Sequence, residues 1–243
     1  MLHAVITAGG RVEGAFAQAI GTDVKALAPL GSRRLIDAAI EAARGAGAEA
    51  IAVVGGDAVR AHCDGRIERF IDESPDGGEN ARRALRAFPN EDLLYLTSDV
   101  PFIDAGGLRD FVARSDGSVV AMPLADADGY ERRFPHAPEH TMAIGGERFA
   151  SGSVFVLRSP ALAGIEEVAA AFFAARKSVW RMAGLCGPGL LIRFALRRLH
   201  IADIESRASR VLGGRVRAVR NASPGLCYDV DTLEEWEYAR ARC

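Results

Sequence analysis

Short apolar runs alternate along the first half of the chain with longer stretches in which apolar residues recur every three or four positions. The runs at 4–7, 50–54 and 93–97 are apolar at almost every position, which is typical of strands that are covered on both faces. The alanine-rich stretches at 34–46 and 78–87 have the helical period. This order predicts βαβαβ units and a parallel sheet with helices against it.

The second half of the chain has a less regular pattern. Residues 119–123 predict a further strand, and the polar residues 126–146 predict a loop or hairpin. Alternation over 149–157 favours a strand near a sheet edge, with Gly152 allowing close approach of another backbone. Residues 161–199 predict two or three helices, because the Gly-Pro-Gly run at 187–189 would interrupt a continuous helix.

Arginines follow the apolar residues of the last of these helices. The arginines of this part of the chain lie among and after the apolar side chains of residues 190–196; they are Arg193, Arg197, Arg198, Arg207, Arg210, Arg215, Arg217 and Arg220. We favour a helix whose apolar face packs on the core and whose arginines lie in water, over a surface for membrane or nucleic acid.

The composition sets outer limits on the function. The chain has 243 residues, of which 49% are hydrophobic and 26% charged, so it is long enough for one α/β domain spanning 1–243. A formal net charge of -2 gives no overall attraction to nucleic acid. No apolar stretch approaches the ~20 residues of a membrane-spanning helix.

The cysteines give no indication of a zinc site or of disulfides. The four cysteines form no CxxC motif and show no metal-ligand spacing with the five histidines. The first residues run directly into the first strand without a signal peptide, so we expect a cytoplasmic protein.

The N-terminal strand leads into a glycine turn that suits an anion. The apolar run ends at Gly9 and Gly10, where backbone N–H groups can approach a phosphate closely. Lys25 follows, and it is one of only two lysines among 30 basic Lys and Arg residues. A compact ammonium suits a phosphate that changes geometry during reaction. Taken alone, Lys25 is equally well explained as a solvated surface residue.

Two carboxylates occur just after predicted strands. Asp99 follows the strand at 93–97, and Asp231 precedes a C-terminal helix. Separately, Asp99 is explained as a turn former and Asp231, or Thr232, as a helix cap. Together with the glycine turn and Lys25, however, they supply the oxygen ligands, N–H donors and cation that hold a magnesium-bound nucleoside triphosphate.

Four motifs resemble those of the MobA-like nucleotidyltransferases and occur in the same order. They are Ala-Gly-Gly at 8–10, Lys-Ala-Leu at 25–27, Leu-Thr-Ser-Asp-Val-Pro at 96–101 and Asp-Val-Asp-Thr at 229–232. The resemblance covers essentially the whole chain. It implies a Rossmann-like, GT-A type α/β/α fold with a mostly parallel mixed sheet. Walker A and GxGxxG motifs do not occur, so neither a P-loop ATPase nor an NAD enzyme is supported.

The resemblance also implies roles for individual residues. The glycine loop and Arg11 would surround the triphosphate, Lys25 would contact it, and Asp99 and Asp231 would hold Mg²⁺ or Mn²⁺. Nucleotide contacts are further implied for Ala8, Gly9, Gly10, Gly55, Gly56, Gly77, Gly78, Asn80 and Ser98, and acceptor contacts for Gly152 and Ser153. The sequence departs from the family pattern in the long segment 15–23 after Arg11 and in serine at 153, where relatives often have asparagine.

The implied reaction is transfer of a nucleotide from an NTP to a small phosphorylated or phosphonate acceptor, with release of pyrophosphate. Residues 1–120 would form the nucleotide-binding half, and 121–243 the acceptor and metal half with a helical insertion at about 161–200. GTP, CTP, UTP and ATP all stay open, as does the acceptor. The alternatives are a glycosyltransferase that uses a nucleotide-sugar, and a non-catalytic nucleotide-binding or peripheral membrane protein.

Overall fold

The computed structural model describes residues 1–159, 164–166, 168 and 187–243. Its strands are β1 (Leu2–Thr7), β2 (Pro29–Leu30), β3 (Arg33–Arg34), β4 (Ile51–Gly55), β5 (Arg69–Asp72), β6 (Asp92–Thr97), β7 (Val120–Asp126), β8 (Thr141–Ile144), β9 (Glu147–Ser151), β10 (Val154–Leu157) and β11 (Val216–Arg220). Its α-helices are α1 (Gly14–Ile20), α2 (Leu35–Gly45), α3 (Asp57–Cys63), α4 (Gly77–Leu85), α5 (Ala105–Arg114), α6 (Ala127–Arg133), α7 (Pro188–Ala195), α8 (Ile201–Leu212) and α9 (Leu233–Arg240).

The central sheet has the order β5-β4-β1-β6-β10-β7-β9-β8, and β11 pairs with β7. Strands β5, β4, β1 and β6 are mutually parallel. The second half is mixed, because β10 runs antiparallel to both β6 and β7, whereas β11 is parallel to β7. The predicted Rossmann-like α/β fold with a mixed sheet is therefore confirmed.

Alternate residues of β1 contribute to two separate apolar cores. Ala4 and Ile6 belong to the core that contains the buried residues of α2, whereas Val5 lies in the core with Ala84 and Leu85 of α4. Successive strand residues point to opposite faces, so the sheet is covered on both sides. Burial on both faces explains why this strand is apolar throughout.

The structure differs from the sequence prediction around residues 126–157. The polar segment predicted as a loop or hairpin contains helix α6, whose N-cap is the side chain of Asp126. The predicted edge strand at 149–157 is two strands, β9 and β10, and β10 lies between β6 and β7 in the interior of the sheet. The partly polar sequence of β9 agrees with its position beside the short outer strand β8. The same pattern does not predict the interior position of β10.

The break between β9 and β10 requires glycine. A Cβ at Gly152 would overlap the backbone oxygen of Leu226 and lie 3.1 Å from Pro123 Cγ. We expect Gly152→Ala to lower the free energy of unfolding by roughly 3 kcal/mol, because the overlap is with the backbone of the fully buried Leu226 and not with a flexible side chain. Urea unfolding would measure this. The control Gly189→Ala adds a methyl group in open space on a helix, and it should keep or slightly raise stability.

The predicted core-facing helix with a solvated arginine face is wrong for α7. Its apolar side chains Leu191, Ile192 and Phe194 are exposed, as is Leu196 just beyond it. The remainder of the helical prediction at 161–199 falls mainly on 161–163, 167 and 169–186, which lie outside the described residues. Among the helices that are described, none is long and apolar enough to cross a membrane.

Candidate active site

A cavity of about 800 Å³ opens where β1 and β6 end. Ligands of open α/β sheets bind at the carboxyl ends of the strands, so the cavity lies where the fold predicts one. It is lined by Thr7, Gly9, Gly10, Arg11, Lys25, Glu73, Ser74, Pro75, Gly77, Asn80, Ala81, Tyr95, Thr97, Asp99 and Asp231. Eight of the residues predicted from the sequence are thus brought to one cavity.

The glycine turn allows close packing around the cavity. A Cβ at Gly9 would lie 2.6 Å from Glu73 Oε2, and one at Gly10 would lie 3.1 Å from Lys25 Cε. Neither glycine has a positive φ. The close approach of the Glu73 and Lys25 side chains, and not a left-handed backbone, therefore favours glycine at these two positions.

Lys25 reaches Gly10 because the segment between them folds back. Helix α1 forms most of the long segment that follows Arg11, and Gly21 ends this helix in the left-handed conformation. The returning chain then pairs with the glycine turn: the Lys25 N–H donates to Gly10 O at 3.0 Å, and the Val12 N–H donates to Asp23 O at 2.9 Å. The long segment 15–23, in which the sequence departs from the family pattern, thus folds so that Lys25 lies beside Gly10.

The Lys25 ammonium lies between the two carboxylates predicted as metal ligands. Its Nζ is 2.5 Å from Asp99 Oδ2 and 2.7 Å from Asp231 Oδ1. Burial lowers the pKa of Lys25, but the charges and hydrogen bonds of Asp99 and Asp231 outweigh burial and raise that pKa above its ordinary value. Lys25 is therefore the positive partner of both acids, and the alternative of a solvated lysine is wrong.

Asp231 is positioned by the start of α9. Thr232 is the N-cap and forms a capping box with Glu235, so the side chain of Asp231 is not used as a cap. The Val230 N–H donates to the backbone oxygen of Asp99 at 3.0 Å, which joins the two acidic segments. Trp236 is buried and donates from Nε1 to Pro29 O at 2.8 Å, which holds α9 in place.

The carboxylates at this site fit a divalent cation. Asp99 Oδ1 is buried and has no hydrogen-bond partner within the described residues, which is costly unless a ligand satisfies it. Within the described part of the chain, no group of three or more His, Cys, Asp and Glu side chains has the arrangement of a metal site. Mg²⁺ is commonly held by one or two carboxylates, with substrate phosphates and water as the other ligands. Asp99 and Asp231 match that requirement.

Asp229 is a third acid at this end of the sheet that the sequence reasoning did not assign. Burial, together with the negative charges of Asp99 and Asp231, raises its pKa. Ser153 Oγ donates to Asp229 Oδ2 at 3.2 Å, and His140 Nε2 lies 3.6 Å from Asp229 Oδ1. The Asp-Val-Asp spacing at 229–231 could have predicted that Asp229 lies near Asp231, since alternate residues of an extended segment share a face.

His140 is not the exposed loop histidine that its polar surroundings suggest. Its side chain is 9% exposed, and its ring stacks on Tyr228 with centroids 4.8 Å apart. Nε2 also lies 3.0 Å from the backbone oxygen of Asp229. His140 therefore supports the acidic segment, whereas His136 is exposed.

Glu73 is the other residue of the cavity that the sequence reasoning missed. It hydrogen-bonds to the guanidinium of Arg11, which also donates to Gly9 O at 3.2 Å. The Glu73 N–H donates to Gly55 O at 3.0 Å, so the carboxylate is fixed between the glycine turn and the end of β4. Arg11 is thus paired with an acid at the rim of the cavity.

The remaining predicted residues play different parts. Gly77 and Asn80 line the cavity, and the Asn80 amide bonds both N and O of Ser74. The others do not line it; they are Ala8, Gly55, Gly56, Gly78, Ser98, Gly152 and Ser153. Ala8 and Ser98 are buried beneath the turn, and their N–H groups extend the pairing between strands, to Val54 O and Thr7 O.

Solved structures share this fold over nearly the whole chain. A transferase from Thermus thermophilus, described as hypothetical, has a TM-score of 0.84 and 26% identity, with 97% of this chain and 100% of that chain covered. A Mycobacterium tuberculosis H37Rv protein solved in complex with manganese has a TM-score of 0.59 and 16% identity, with coverages of 100% and 99%. The 2-C-methyl-D-erythritol 4-phosphate cytidylyltransferase of Thermus thermophilus has a TM-score of 0.57 and 18% identity, with coverages of 99% and 98%.

A family model gives the assignment in sequence. No curated protein matches the chain significantly. The model of the MobA-like NTP transferase domain matches residues 4–183, which include the glycine turn, Lys25 and Asp99. That range covers more than half of the chain and agrees with the resemblance predicted from the motifs. The chain therefore belongs to the MobA-like NTP transferase family and is a nucleotidyltransferase.

Proposed function

We propose that this enzyme transfers a nucleoside monophosphate from an NTP to a small phosphorylated or phosphonate acceptor and releases pyrophosphate, with Mg²⁺ or Mn²⁺ as cofactor. The arrangement around Lys25 is the observation that carries the proposal. One ammonium lies between Asp99 and Asp231 at the edge of a glycine-lined cavity, and the second oxygen of Asp99 is buried without a partner among the described residues. A metal-bound triphosphate supplies partners for all of these groups.

The phosphate side of the site is formed by the glycine turn and Lys25. Backbone N–H groups at Gly9 and Gly10 would donate to phosphate oxygens. Lys25 would then exchange a carboxylate for a phosphate oxygen, which its flexible stem permits. Arg11 would reach the triphosphate from the rim, after turning away from Glu73.

The metal side is formed by Asp99 and Asp231. They would hold the divalent cation, which would offset charge on the α-phosphate and on the leaving pyrophosphate. The manganese complex of the Mycobacterium tuberculosis neighbour supports a divalent ion on this fold. Asp229 would keep Ser153 and His140 in position behind the two ligands.

The reaction asks mainly for positioning. An ionised oxygen of the acceptor would attack the α-phosphorus, a new P–O bond would form, and the bond to the β-phosphate oxygen would break, with its electrons leaving on pyrophosphate. The chain would align the two reactants and stabilise the charge that develops. No general base is needed for an acceptor that is already ionised.

The two halves of the chain would bind different partners, the first the nucleotide and the second the acceptor and the metal. The cavity takes its lining from residues 7–99 together with Asp231, which supports a nucleotide half at 1–120 and a metal and acceptor half at 121–243. Ser153 remains the proposed contact on the acceptor side. Gly77 and Asn80 at the start of α4 remain the proposed contacts for the base, with Gly56 behind the Glu73 side chain and Gly55 next to it at the end of β4. GTP is one of the four candidates.

The transfer can be tested without knowing the acceptor. The protein would be incubated with Mg²⁺, each NTP labelled at the α-phosphorus, and a low-molecular-weight metabolite extract. We expect one NTP to pass its label to a new product while pyrophosphate is released in equal amount. Label recovered only as nucleoside diphosphate would show cleavage at the γ-phosphate and would contradict nucleotidyl transfer. In parallel incubations with nucleotide-sugars, release of nucleoside diphosphate without turnover of any NTP would also contradict it and would favour a glycosyltransferase.

A further inference from the structure

Exposed apolar side chains are concentrated at one place outside the candidate active site. On α7 and the residue that follows it, Ile192, Phe194 and Leu196 are 59%, 62% and 60% exposed. On α8, Ile204 and Val211 add further exposed apolar area. Monomeric soluble proteins rarely leave such a group in water without an interaction to account for it. We refer to α7, residues 196–200 and α8 as the α7–α8 surface.

The same surface has an excess of positive charge. Residues 188–212 contain five arginines and two acids, whereas the whole chain has a net charge of -2. Arg193 pairs with Asp203 at 2.9 Å. Elsewhere on this surface, Arg197, Arg198, Arg207 and Arg210 have no acidic partner within the described residues. No acid in the described part of the chain therefore neutralises these four arginines.

A pocket of about 370 Å³ lies between α7 and α8, and most of its charged lining residues are arginines. Arg193, Arg207 and Arg210 line it, with Asp203 as its only acid among the described residues. Arg207 Nε is buried and has no hydrogen-bond partner within the described part of the molecule. Its guanidinium lies against the backbone of Gly187, where a Cβ would be 3.5 Å from its terminal nitrogen. This chemistry suits a phosphate group, because guanidinium N–H groups match phosphate oxygens in pairs.

We propose that the α7–α8 surface docks the protein peripherally on an anionic lipid membrane. The exposed apolar side chains would enter the interfacial region, and the arginines would bind headgroup phosphates. A symmetric dimer through this surface would bring the arginine cluster of one copy against that of the other, which costs energy. Nucleic acid would satisfy the arginines but would leave Ile192, Phe194 and Leu196 in water. An anionic membrane satisfies both sets of side chains.

Docking on a membrane differs from spanning it. Helix α7 has 8 residues, far fewer than a spanning helix needs, but interfacial binding requires only an apolar face with basic neighbours. Each arginine near an anionic surface contributes about fivefold in partitioning. The attraction should weaken as salt is added, since salt screens exposed charges.

The proposal is tested by flotation of the full chain with two kinds of vesicle, phosphatidylcholine alone and phosphatidylcholine mixed with phosphatidylglycerol. We expect flotation with the mixed vesicles only, and its loss at high salt. The variant Ile192→Glu/Phe194→Glu and the variant Arg193→Gln/Arg197→Gln/Arg198→Gln should each weaken binding by on the order of tenfold or more. Thermal melts would confirm that both variants are folded.

The control variant is Arg33→Gln/Arg60→Gln, because these two exposed arginines lie outside this surface and pair with Glu41 and Asp72. It should float like the unmodified protein. So should Asp99→Asn, whose behaviour separates lipid docking from nucleotidyl transfer. Absence of binding to the mixed vesicles, or undiminished binding by both surface variants, would overturn the proposal. A salt-resistant dimer that Ile192→Glu/Phe194→Glu dissociates, without vesicle binding, would overturn it as well and would identify a dimer interface.

Discussion

Replacement of Asp99 by asparagine should lower the rate of nucleotidyl transfer by about a hundredfold to a thousandfold. Asparagine keeps the size of the side chain but removes the negative charge that would hold the divalent cation. Its amide nitrogen also places donors where the metal needs an acceptor. The measurement is kcat/KM over a range of Mg²⁺ concentrations. The loss should persist at saturating metal, because the ligand itself has changed.

The matched control for this change is Asp104→Asn. Asp104 lies in the same loop after β6, but its carboxylate caps α5 by accepting from the Gly107 N–H at 2.9 Å. Asparagine is also a good N-cap, so stability should fall by less than about 1 kcal/mol and activity should be retained. The assignment of Asp99 would fail if Asp99→Asn kept nearly full activity, or if the control lost as much.

Replacement of Lys25 by methionine should have two separable effects. Without the ammonium, Asp99 and Asp231 face each other beside Asp229 with no positive partner among the described residues. The free energy of unfolding should fall by roughly 2 to 3 kcal/mol, somewhat less than for a fully buried pair because Asp231 is exposed. Mg²⁺ without nucleotide should restore part of this stability, since it supplies the missing charge. The rate of transfer should fall by about a hundredfold, because the phosphate loses its cation.

Chemical unfolding with and without Mg²⁺, together with steady-state kinetics, would measure both effects. The control Lys25→Arg keeps the charge but replaces a compact ammonium with a planar group. It should retain most of the stability and only part of the activity. Unchanged stability of Lys25→Met would show that the ion pairs with Asp99 and Asp231 contribute little.

The parts of the site that the sequence predicts are those fixed by the first parallel strands. A strand buried on both faces is recognisable from its unbroken apolar run, and the residues just past it lie at the ligand-binding edge. Gly9, Gly10 and Asp99 could therefore be placed at the cavity from the sequence. Asp231 could be placed there too, but only through its family resemblance and its position before a helix.

The parts that the sequence does not predict depend on contacts between distant segments. In the sequence, nothing distinguishes Glu73 and His140 from ordinary loop residues. Glu73 is held at the site by its hydrogen bond to the end of β4, and His140 by its stacking on Tyr228. The interior position of β10 depends on pairing with β6 and β7, which its own residues do not specify. The apolar residues of α7 predict a helix that packs on the core. That prediction is wrong because the period of apolar residues does not show whether a helix faces the core or the solvent.

Calorimetric titration of each NTP, with and without Mg²⁺, would show whether the cavity at the ends of β1 and β6 is a metal-dependent nucleotide site. We expect at least one NTP to bind the protein much more tightly when the metal is present. We also expect Asp99→Asn to abolish this difference and Asp104→Asn to preserve it. Equal binding of every NTP with and without metal, or a metal effect that survives in Asp99→Asn, would contradict the proposed site.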